Sequence, residues 1–142
     1  GTLIGTALSI MRATRAASFG GSVKSVSASG GIGYGTGAGG AQTQGTSKSQ
    51  GVTLDKVCGQ ITTHNATLNA GVEVGFTLTN STIAATDVVL VTIASGATAD
   101  AYHVQVDATA AGSCHISITN VSGSNLGEAL VLNFVVIKSV AA

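Results

Sequence analysis

The chain has 142 residues, with six basic and six acidic side chains, two Cys, 20 Gly, and neither Pro nor Trp. That length suits one domain of ordinary size. Only 8% of residues are charged, against about 25% in a typical soluble domain. With three Phe and two Tyr, the core has to be aliphatic, and the surface is under-charged for a free monomer.

In chain order, residues 1–17 offer Leu3, Ile4, Leu8, Ile10 and Met11 as the contacts of a short extended or helical docking segment. Arg12 and Arg15 follow this apolar run instead of preceding it, the wrong order for a secretory signal. No stretch reaches the ~18 apolar residues of a membrane span. Residues 18–51 are rich in Gly and Ser. Such a segment cannot recover its ordering entropy by its own burial. It is expected to be mobile in the free protein and to order along a neighbour in an assembly.

The neutral total hides an asymmetry. Arg12, Arg15, Lys24 and Lys48 precede every acidic residue, whereas from Asp55 onward six acidic side chains meet only Lys56 and Lys138. A basic arm over residues 1–51 therefore precedes an acidic domain over residues 52–142. Four cations in some fifty residues are too dilute for nucleic acid, which uses clustered Lys and Arg with interleaved aromatics. A protein surface of opposite sign fits the arm better. Cys58 and Cys114 read as small buried apolar residues of a protein made in a reducing cytosol, with a bridge between them as the alternative.

From residue 52 the apolar pattern has period two. Val72, Val74, Phe76 and Leu78 alternate with polar or small residues, as do Tyr102, Val104 and Val106, and then Cys114, Ile116 and Ile118. Val88 to Ile93 and Leu130 to Ile137 are apolar on both faces, as strands covered on both sides or touching another subunit are. Shorter pieces at residues 52–54 and 57–63 bring the total to about seven strands. Turn residues separate them every ten positions or so, which predicts an all-β antiparallel sandwich of jelly-roll or Greek-key type behind a Gly/Ser-rich N-terminal arm. A weak echo, Phe76-Thr-Leu-Thr-Asn80 against Ile116-Ser-Ile-Thr-Asn120, fits that topology. The core pattern starts at Val52, so deleting residues 1–44 is expected to leave the sandwich folded.

Motifs for chemistry fail on context. Gly35-Thr-Gly37-Ala-Gly39-Gly40 matches a dinucleotide fingerprint, but no buried strand precedes it and no helix follows. No G-x-S-x-G elbow and no zinc-ligand spacing occur. If Val104 lies opposite Cys114, His103 falls opposite His115, where two ring nitrogens would share a metal. Two ligands are too few for a tight site, so an exposed His pair is the preferred reading. Asn65, Asn80 and Asn120 fit the N-glycosylation pattern, yet all three lie at strand ends, where Asn is a turn residue. No catalytic, cofactor-binding or metal-ligating residue is assigned.

Gly45-Thr-Ser-Lys-Ser-Gln-Gly-Val-Thr-Leu-Asp-Lys56, Gly59-Gln-Ile-Thr62, Val74-Gly-Phe-Thr-Leu-Thr-Asn80-Ser, Ala84-Ala-Thr-Asp-Val-Val89, Ala111-Gly-Ser113 and Glu128-Ala-Leu-Val-Leu-Asn-Phe-Val-Val-Ile-Lys138 follow one another in order. Together they resemble a β-sandwich module of tailed-bacteriophage virion proteins, over about two thirds of the chain. Such modules occur as capsid cement or decoration proteins and at the tips of tail fibres. No heptad or repeat shaft precedes this one, so it looks most like a cement protein.

The resemblance implies a structural protein on the outer capsid surface of a virion, made in the host cytoplasm. It would cement neighbouring major-capsid subunits without cofactor, nucleic acid or membrane. The alternative is the receptor-binding knob of a tail fibre or needle. The expected interface comprises Arg12, Arg15, Lys24 and Lys48 of the arm with Val131, Val135 and Ile137. The apolar second face of that last strand is expected to pack against another subunit or to be covered by the arm, with a homo-oligomer, dimer or trimer, preferred and the dimer slightly favoured.

Overall fold

The computed structural model describes residues 22–141. The chain divides into two units, Gly1–Gly33 and Tyr34–Ala142. In the first, residues 22–33 are exposed and without strand or helix, and the Ser27 hydroxyl accepts the Ser29 and Gly30 amides.

The second unit carries eight strands: β1 (Gly39–Thr43), β2 (Val52–Thr53), β3 (Cys58–Thr62), β4 (Glu73–Thr79), β5 (Val88–Ser95), β6 (Tyr102–Ala110), β7 (Ser113–Asn120) and β8 (Val131–Ile137). They form two four-stranded sheets, A in the order β1-β3-β8-β5 and B in the order β2-β4-β7-β6. Ile61, Val89, Leu132, Phe134 and Val136 of sheet A and Phe76, Leu78, Cys114, Ile116 and Ile118 of sheet B belong to one buried core. The protein is an all-β sandwich. The alternations at Val74–Leu78, Tyr102–Val106 and Cys114–Ile118 lie inward as their period requires, whereas Val72 precedes β4 and stays exposed. Cys58 and Cys114 are both free thiols, one in each sheet; burial pushes the Cys114 thiol up to about 11.

Two expectations need correction. The sheets are mixed, not purely antiparallel: β3–β8, β5–β8, β4–β7 and β6–β7 are antiparallel, but the edge pairs β1–β3 and β2–β4 are parallel. The compact unit also starts at Tyr34, well before the expected boundary at residue 52, because part of the Gly-rich stretch is strand β1. Glycine serves close approach there. Gly40 pairs with Gly59, and a Cβ on Gly59 would lie 2.4 Å from the Gly40 carbonyl oxygen and 3.2 Å from Phe134 Cε1. Two bare Cα positions let the Leu54 and Phe134 side chains close over the edge of the core.

The loop after β1 is pinned from inside. The buried Gln44 amide donates to the Lys48 carbonyl (3.0 Å) and the Gln50 carbonyl (2.7 Å), and its Oε1 accepts the His64 amide (3.0 Å). Two fully buried asparagines give the sequence echo its meaning. Asn80 Oδ1 accepts the Thr82 amide and hydroxyl while Nδ2 donates to the Lys56 carbonyl. Asn120 does the same with Ser122, donating to the Leu68 and Ser124 carbonyls. Both amides are spent inside the fold, so both serve as turn anchors.

Candidate interaction face

The outer side of sheet A is built by strand register. Because Val89, Val136, Phe134, Leu132 and Ile61 point into the core, their neighbours point out. Paired residues form rows across the sheet: Val88 with Ile137; Leu90 with Val135, Cys58 and Gly39; Thr92 with Asn133, Gln60 and Ala41. Ser95, Val131, Thr62 and Thr43 form the last row. Val88, Leu90 and Ile137 are each about half exposed, at 48%, 49% and 47%. Gln60 Nε2 donates to Asn133 Oδ1 (3.0 Å), so the polar row is knit within the sheet. None of the four strands holds an Asp, Glu, Lys, Arg or His.

Charge gathers at the rim. Just past β8, Lys138 Nζ lies 2.6 Å from Asp87 Oδ2 and also donates to the Thr82 carbonyl. The Asp87 side chain is 1% exposed. The Ala84 amide and then the Lys138 ammonium hold its carboxyl below the usual value. At the same end Tyr34 Oη donates to the Val136 carbonyl (2.5 Å), and Tyr34 as a whole remains 46% exposed.

The outer side of sheet B is polar. His115 Nδ1 lies 3.0 Å from Asp107 Oδ2, and Gln105 Nε2 donates to Asp107 Oδ1 (2.7 Å). The His115 ring lies over Gly75, where a Cβ would come within 2.2 Å of its Cε1. Asp107 is held below its usual range by Ser117, His115 and Gln105. A shallow cleft of about 110 Å³ opens beside the ring, lined by Thr77, Ala108, Ala110, Ser113, Cys114 and His115.

The expected pairing of His103 with His115 does not form. Val104 lies opposite Ile118 and His103 opposite Thr119, while a bulge between Val106 and Ala108 sets His115 against Ala108. The outward Gln105–Ser117 row therefore separates the imidazoles. Among the described residues, no three His, Cys, Asp or Glu side chains gather as a metal site.

The expected interface residues separate. Val131, Val135 and Ile137 lie together on the outer side of β8. Lys24 is exposed in the first unit, and Arg12 and Arg15 lie outside the described residues. Lys48 departs from expectation. It is 3% exposed, and its Nζ donates to the His64 and Glu128 carbonyls (2.5 Å each). Burial lowers its pKa against the raising effect of Glu128. Its charge is spent tying the β1–β2 loop to the sandwich, which leaves none for a partner surface. Sequence reading missed Val88 and Leu90 as companions of β8, although the two-faced run from Val88 to Ile93 carried the signal. Comparison with protein families, curated proteins and solved structures gave no match to this chain.

Proposed function

We propose that this chain is a structural virion protein that binds the outer surface of a phage capsid and cements neighbouring major-capsid subunits. Its partners would be the major capsid protein and further copies of itself. The observation that carries this reading is the uncharged outer side of sheet A, a broad exposed face whose apolar rows suit burial against protein. The sequence pieces that resemble phage virion modules, from Gly45 onward, all fall within the Tyr34–Ala142 unit. The nesting of β3 with β8 and β4 with β7, with β5 beside β6, supports a jelly-roll type of winding.

A second reading, the receptor-binding knob of a tail fibre or needle, draws on the cleft beside His115, where small apolar side chains sit beside a few polar ones. Such a site would take a host glycan or peptide through His115 and the Ser113 hydroxyl, beside the Asp107–Gln105 pair.

Copy number separates the two. A quantified gel of purified particles should show this chain near one copy per major-capsid subunit. A handful of copies per particle would replace the cement reading with the knob, and absence from particles would end both.

A further inference from the structure

We infer that the outer face of sheet A is a self-pairing surface, on which a second copy of this chain seats its own sheet A face to face. The inference rests on the self-association within the proposed function but needs no capsid, so each can fail alone.

Electrostatics selects the occupant. Four strands present no formal charge, so a charged partner surface would lose hydration against a face that returns no counter-charge. An uncharged surface carries no such loss, and the same face on another copy is one. It is also self-complementary. A two-fold axis passing near the Leu90–Val135 row would bring the row of one copy onto that of the other. Val88 and Ile137 would then flank it on one side and Thr92, Asn133 and Gln60 on the other. Residues of one patch meet that patch again, as an isologous contact requires. Sheets pack face to face at about 10 Å, a distance that half-exposed Leu, Val and Ile side chains fill.

Area sets the strength. Four strands spaced about 4.8 Å apart, five residues long in β1 and β3 and at least seven in β5 and β8, give a footprint of roughly 20 Å by 20 Å. That matches the small class of protein interfaces, below about 1,200 Å² in total. The pair is therefore reversible in dilute solution and reinforced where copies are arrayed at high local concentration. The charges that are present, Asp87 and Lys138, pair with each other beside the face and supply a polar rim.

The test is sedimentation of the full purified chain from micromolar to millimolar concentration, compared with Leu90→Glu and, on the opposite sheet, Thr77→Glu. Leu90 is half exposed, so a carboxylate there is solvated in the monomer and desolvated only in the pair. The wild type and Thr77→Glu should pass from monomer to dimer with rising concentration. Leu90→Glu should stay monomeric, its association weakened about tenfold or more, with an unchanged thermal melt. A wild type that is monomeric throughout, a trimer, or a dimer indifferent to Leu90→Glu overturns the inference. Should Leu90→Glu melt early, Leu90→Gln is measured in its place, and a Leu90→Gln dimer as tight as the wild type overturns it too. Dimerisation of a chain that fails to bind particles would refute the cement reading alone.

Discussion

Tyr102 illustrates how single side chains here are shaped by burial more than by partners. It is 7% exposed, and its hydroxyl makes no hydrogen bond in good geometry. Desolvation, with the facing Glu128 carboxylate, pushes its pKa up to about 12 from 10.0. Glu128 in turn is held low, first by its hydrogen bond from the Thr98 hydroxyl. A phenol raised in the folded state keeps its proton while the unfolded chain loses it. Stability is therefore full below pH 10 and falls as pH rises from 10 toward 12. With two Tyr and no Trp in the chain, absorbance at the tyrosinate band should show one phenol still protonated above pH 11. Tyr102→Phe should flatten the alkaline loss in a melting series, and a Tyr102 phenol that titrates near 10 would contradict the assignment.

Among elements, β1 and β8 mark the limits of sequence reading. Leu130 to Ile137 was legible because alternate residues of an aliphatic run must fall on opposite faces. Leu130, Leu132, Phe134 and Val136 are indeed the buried set. Strand β1 was not legible, since Gly-Gly-Ala-Gln-Thr has neither β-branched density nor alternation. Its pairing depends on what a glycine leaves out. The His103–His115 register failed for a different reason: β6 runs on to Ala110 and pairs with Ser113 across the Ala111–Gly112 turn, so that Thr119 lies opposite His103, and the bulge at Asp107 shifts the pairing by only one residue. The parallel edges were equally hidden, being set by the path of the loops. Gly59→Ala should push β1 off its neighbour and cost about 1–3 kcal/mol, read by denaturant unfolding. Gly75→Ala should displace only the His115 ring, the movable end of a side chain, and cost far less. Equal costs would mean that the Gly40–Gly59 approach does not hold the edge.

For the whole molecule, the boundary at Tyr34 changes which truncations are tolerated. Removing residues 1–33 leaves every strand of the second unit in place. Removing residues 1–44 takes away β1, Tyr34 and the Gln44 amide that holds Lys48, Gln50 and His64. The shorter deletion should melt like the full chain, while the longer should melt lower by roughly 10 °C or more, or fail to fold. Identical melts for both would return the boundary to residue 52. The hydrogen bond from Tyr34 to Val136 has one more consequence. It sets the entry to the compact unit beside the end of its last strand, as does the chain of pairs from Gly39 through Cys58 to Val135. Entry and exit thus share one pole, a span that a short linker bridges. A circularly permuted form of the compact unit opened at the far-pole turn around Gly123 would keep the same sheets, and cargo fused to the compact unit at Tyr34 or after its last strand would hang from a single side.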